Sequence, residues 1–80
     1  MSHKQKLMRQ GLLVEKQNTR DAIETKIDRC VKDLNYYSFP SDGIQSIETD
    51  KVLQAANELH KLKARWNGLN RDIHELESGL

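Results

Sequence analysis

Residues 52–80 read VLQAANELHKLKARWNGLNRDIHELESGL, and the apolar positions Val52, Ala55, Leu59, Leu62, Trp66, Leu69, Ile73, Leu76 and Leu80 alternate at spacings of three and four. Such alternation turns one narrow seam toward a partner helix, as in a coiled coil, whereas a helix lying on a globular core carries a broader stripe. Lys51, Glu58, Lys63, Arg65, Asp72 and Glu77 flank the seam with charges of both signs, placed to pair across helices.

Upstream of this helix, Ser38, Phe39, Pro40, Ser41, Asp42 and Gly43 crowd turn-forming residues together. Pro40 excludes Phe39 from helical geometry, and Asp42 with Gly43 suits a reversal. Ser46 or Thr49 can cap the helix that follows, with Glu48 and Asp50 at the positive end of its dipole. Before the turn, Ile23, Ile27, Cys30, Leu34 and Tyr37 repeat the seam spacing. From Glu15 to Asp21 there is no apolar residue, and the seam carries Lys16 and either Thr19 or Arg20. A continuous first helix is favoured over a break near Asn18, because a hairpin needs arms of matched length.

The expected fold is all-α: one domain over 1–80, an antiparallel two-helix hairpin that self-associates into a coiled coil or four-helix bundle. Its first helix spans about 5–36, the turn about 37–46 and the second helix about 47–77, so each arm is about 45 to 50 Å long at ~1.5 Å per residue. Ile23, Ile27, Leu34, Leu59, Leu62, Trp66, Leu69, Ile73 and Leu76 form the oligomer seam. Folding at residues 41 and 42 sets Gly11 within a turn or so of the level of Gly68, where the two either allow a close helix approach or are tolerated surface glycines, and Trp66 opposite the polar stretch around Lys16 and Thr19. Leu7, Met8, Leu12, Leu13 and Val14 point in three directions around a helix, more faces than one partner helix covers.

A chain of this length buries only about 60% of the surface its unfolded state exposes. Cys30 is the single cysteine, so no internal disulfide adds stability, and in the seam it reads as a small buried hydrophobe in a reducing compartment. Oligomerisation is the remaining support, with a dimer favoured. Thirteen Lys and Arg against twelve Asp and Glu give a net charge of +1, which argues against a wholesale polyanion binder. The distribution is uneven: residues 1–20 have a local charge of +4, whereas residues 33–50 contain Asp33, Asp42, Glu48 and Asp50 and no Lys or Arg. The run Leu12–Val14 is far shorter than a signal-peptide core, and no stretch approaches the ~20 apolar residues that span a bilayer. The expected location is cytoplasmic, with no membrane partner.

Motifs that carry chemistry are scarce. Bundle metal sites use Glu-x-x-His, but Asn57 and Arg71 stand three residues before His60 and His74. Neither a zinc spacing nor a nucleophile, base and acid set is present. Asp21, Glu24 and Asp28 share a helix face, read as solvated and partly neutralised by Arg20 and Lys32. Arg65, Trp66, Asn67, Leu69 and Asn70 loosely resemble the last helix of spectrin-type repeats, over about one helix, and no assignment to that family is made.

The expected function is therefore a small homo-oligomeric helical protein–protein interaction or adaptor module, with no enzymatic activity, cofactor or metal. A protein partner of unknown identity is expected at the acidic tip through Tyr36 and Phe39, although Phe39 and Ile44 more simply plug the turn. The alternative is a small dimeric nucleic-acid-binding regulator whose Lys4, Lys6, Arg9, Lys16 and Arg20 contact phosphates.

Overall fold

The computed structural model describes residues 3–79, in which two long helices pack against each other. Helix α1 runs His3–Ser38 and helix α2 runs Thr49–Ser78, with one 3-10 turn, Ile44–Ser46, in the loop between them. They form a rod of 63 × 14 × 14 Å, and the described residues contain no strand. Among the described residues, no helix is long and apolar enough to cross a membrane. Helix α1 is two residues longer at each end than the expected 5–36, because the Phe39 N–H still donates to the Asn35 carbonyl at 3.0 Å before Pro40 stops the helix.

The first helix is continuous through residues 15–21. Thr19 caps nothing; its hydroxyl donates to the Glu15 carbonyl at 3.0 Å, within the same helix. The seam therefore continues upstream as Arg9, Leu13, Lys16 and Arg20, all half-buried, before Ile23, Ile27, Cys30, Leu34 and Tyr37. Opposite them, Val52, Ala55, Leu59, Leu62, Trp66, Leu69, Ile73 and Leu76 are buried or half-buried, and Leu80 lies outside the described residues. The seam closes within one chain. Its centre is Ile23, Cys30 and Leu62, packed on by Ile27, Leu59, Trp66 and Leu69. Two helices leave a seam open along both flanks, and among the described residues only Ile23, Cys30, Leu62 and Ile73 form the buried apolar core.

The loop sets the register. Pro40 to Gly43 closes a turn, with the Gly43 N–H 3.4 Å from the Pro40 carbonyl, and Gly43 takes φ 101°, where a side chain would strain the backbone. Asp42 then gathers the rest. Its carboxylate accepts the Ser41 and Ser46 hydroxyls at 3.2 and 3.1 Å, and its carbonyl accepts the Gln45 amide at 2.6 Å. These bonds hold Ile44–Ser46 as a separate turn and delay α2 to Thr49, with Glu48 at the N-cap position. Neither Ser46 nor Thr49 supplies a side-chain cap, since Ser46 is committed to Asp42.

The delay moves the fold point about one turn later than residues 41 and 42, as the pairs Tyr37 with Lys51, Glu24 with Trp66 and Lys16 with Asp72 show. Two expectations fail for this reason. Trp66 lies opposite Glu24 instead of Lys16 and Thr19, and Gly11 and Gly68 do not approach one another. A Cβ at Gly11 would meet nothing within 4 Å, and one at Gly68 only the Arg71 guanidinium at 3.9 Å.

Two stability predictions follow from this packing. Truncating Leu62 or Ile73 to Ala removes a buried seam side chain and is expected to cost about 2 to 5 kcal/mol, whereas charge changes at exposed His60 or Glu75 cost little. Melting followed by circular dichroism checks this, and an unchanged melting temperature for Leu62→Ala would place the core elsewhere. By contrast, Gly11→Ala is expected to stabilise the hairpin by about 1 kcal/mol, because the helix gains propensity and nothing obstructs the methyl group.

Candidate interaction surfaces

At the closed end of the hairpin the aromatic side chains stand in solvent. Tyr36 is 76% exposed, Phe39 80% and Ile44 85%, so Phe39 and Ile44 do not plug the turn. Hydrogen bonds centred on Asp42 close the loop instead and free both apolar side chains. Tyr36 and Tyr37 meet edge to face with ring centres 5.4 Å apart, which braces Tyr36 in an outward position. The two rings, with Phe39, Pro40, Asp42 and Glu48, line an open cleft. Lys51 shows what such a surface attracts: its ammonium lies 3.0 Å from the Glu48 carboxylate and 5.2 Å from the centre of the Tyr37 ring. The hydrogen bond to Glu48, and then its charge, raise the Lys51 pKa above the ordinary value.

At the open end, Lys4 and Lys6 are exposed, while Arg9, Lys16 and Arg20 occupy seam positions. Their stems cover the seam and their charged heads reach its edge, which is how long cationic side chains fill a half-buried site. Lys16 pairs with Asp72 at 3.3 Å. Arg20 donates from Nη1 to the Asn70 side-chain Oδ1 at 3.4 Å, while its Nε, buried without a hydrogen bond, lies 3.9 and 4.0 Å from the carboxylates of Asp21 and Glu24. The Arg9 guanidinium lies against Gly79, where a Cβ would collide with it. Three of the five cations expected to contact phosphates thus line the junction between α1 and α2. Around them Leu7, Met8, Leu12 and Val14 are exposed, and Gln5, Met8, Arg9 and Leu12 line a shallow groove.

Comparison with family models, with curated proteins and with solved structures finds no match to this chain.

Along the middle of the rod the surface is polar, with Val31 the exposed large apolar residue. Glu24, from the carboxylate face of α1, accepts the Trp66 indole N–H at 2.9 Å, and the Lys63 ammonium lies 4.0 Å from the centre of the Trp66 ring. Glu24 therefore ties α1 to α2. The described residues contain no group of three or more His, Cys, Asp and Glu side chains able to hold a metal ion, and His60 and His74 are both exposed. Spacing alone carries the polar seam: continuing the alternation upstream from Ile23 lands on Arg20, Lys16, Leu13 and Arg9. The Trp66–Glu24 bond had no such signal, because it depends on register.

Cys30 is buried at the seam. Burial first, and then the negative charges of Glu58 and Asp33, push its thiol pKa up, with Arg29 opposing. A raised thiol pKa contributes stability below the unfolded pKa, and that contribution is lost as pH rises through the folded value. At pH 8 the native protein is expected to react with iodoacetamide about ten-fold or more slowly than the urea-unfolded chain, since the thiolate is the nucleophile. Equal rates, read by mass spectrometry, would show that Cys30 is open to solvent.

Proposed function

We propose that this protein is a non-catalytic helical interaction module, a hairpin that self-associates and presents its ends to protein partners. What supports this reading is the placement of apolar surface. Large exposed apolar side chains gather at the two ends of the rod, Leu7, Met8, Leu12 and Val14 at one and Tyr36, Phe39, Ile44 and Leu53 at the other. Clustered exposed apolar residues with charged neighbours are the usual mark of a protein-binding surface. A core of so few buried side chains adds a second reason, because a small hairpin gains stability by covering its open flanks.

Light scattering after size exclusion is expected to give at least twice the 9.3 kDa chain mass, and a folded monomer across micromolar concentrations would overturn self-association. A nucleic-acid regulator would behave otherwise. It would bind RNA or DNA tightly at near-physiological salt, with affinity falling steeply as salt rises and lost in the Lys4→Gln, Lys6→Gln, Arg9→Gln variant.

A further inference from the structure

Gly11 gains nothing within the hairpin. It is less favourable in a helix than Ala by about 1 kcal/mol, it approaches no glycine of α2, and a Cβ there would meet nothing within 4 Å. It lies on the side of α1 turned away from α2, because the seam at this level runs through Arg9, Leu13 and Lys16, about half a turn around the helix. Beside it Leu7, Met8 and Val14 are 53, 67 and 54% exposed, so the glycine sits at the centre of the apolar patch of α1. A glycine so placed lets a second backbone come close, with the side chains around it packing on either side of the crossing.

The arrangement about Gly11 selects that second backbone. At about 100° per residue, Leu7 and Val14 lie to one side of the glycine and Lys4 and Glu15 to the other. A copy of α1 laid antiparallel across the glycine therefore sets Leu7 of each against Val14 of the other, and Lys4 of each within a turn of Glu15 of the other. A parallel copy would set Lys4 level with Lys4 and Glu15 level with Glu15. The patch is thus its own antiparallel complement, and the crossing closes at two copies. The other charges at this end do not enter it: Lys6 and Arg9 continue the seam, Lys16 pairs with Asp72, and Asp72, Glu75 and Glu77 belong to α2, behind the patch. Those acids also keep the end from being basic as a whole, so a polyanion is not selected. Beyond Asn18 the same face of α1 turns polar, with Asp21, Thr25, Asp28 and Lys32 exposed, and contact ends there.

We infer that two copies cross antiparallel at Gly11, outward face of α1 on outward face of α1, with Leu7 packed on Val14 of the other copy and Lys4 beside its Glu15. This rests on the self-association proposed above and specifies its geometry.

The crossing gives the pair a measurable shape. Gly11 stands about 12 Å along the helix from His3, so two 63 Å rods overlap by about 24 Å and the pair is about 100 Å long, whereas rods paired along their whole length stay near 63 Å. Small-angle X-ray scattering reads that length, and analytical ultracentrifugation reads the mass. Gly11→Gln installs a better helix former where the lone hairpin leaves open space, so the helical signal in circular dichroism is kept while the pair weakens about ten-fold or more. Lys4→Glu and Glu15→Lys each set like charges at both ends of the crossing and are expected to weaken it about three-fold or more, whereas an equimolar mixture of the two forms a mixed pair with opposite charges restored. A pair near 63 Å long, or one that either Gly11→Gln or the charge exchanges leave unchanged, overturns this crossing and leaves self-association standing. Mass that grows beyond two copies with concentration overturns the closed pair. A wild-type protein that stays monomeric removes self-association and this crossing together.

Discussion

A single seam, one side chain deep, carries this fold. Two helices can each bury one narrow stripe against the other, and the seven-residue repeat keeps those stripes in register along the rod. Everything outside the stripe is exposed by construction, so an apolar residue beyond it has no partner within the chain. That constraint puts Ile23, Cys30, Leu62 and Ile73 in the buried core, and it leaves Tyr36, Phe39, Ile44, Leu7 and Met8 in solvent. Core and candidate surfaces are two results of the same geometry.

A heptad seam tolerates sliding, because moving one helix by a whole repeat again sets apolar side chains against apolar ones. The register must come from elsewhere. Two features fix it here: the loop, whose length is set by the bonds that Asp42 collects from Ser41, Gln45 and Ser46, and the polar rungs at the open end. Lys16 finds Asp72, and Arg20 finds Asn70. A slip of one heptad would set Lys16 at the level of Arg65 or Gly79 and Arg20 at the level of Lys63 or Glu77, so the Lys16–Asp72 pair is lost either way. Partly exposed polar contacts of this kind, here one ion pair and one hydrogen bond, add only about 0 to 1 kcal/mol each, so they act by penalising wrong alignments more than by stabilising the right one.

The hairpin itself was legible in the sequence, because the three-and-four alternation of Val52–Leu76 and Ile23–Tyr37 can be satisfied by one partner helix and Pro40 marks where the chain turns back. Continuity through residues 15–21 was legible too, once polar side chains were allowed into the seam. The alignment of the two arms was not. Periodicity is blind to translation, and the fold point depended on hydrogen bonds to Asp42 that no repeat encodes, so Trp66 was matched with Lys16 and Thr19 when its partner is Glu24. Exposure of Phe39 and Ile44 was hidden for the same reason: an apolar plug and a polar network close a loop equally well on paper, and only the placed atoms distinguish them.

The unequal chemistry of the seam divides the rod into halves of different local stability. Between Ile23 and Tyr37 every seam position of α1 is apolar or aromatic, and the loop ties that half shut. Between Arg9 and Arg20 the same helix offers Leu13 as its one apolar seam residue, and no loop joins the arms there. Opening from that end breaks the polar rungs of Lys16 and Arg20 and parts fewer apolar seam residues of α1 than opening from the loop-tied end would, so the open half is the less stable of the two. In the partly unzipped state the closed half keeps its packing while Leu69, Ile73 and Leu76 are uncovered.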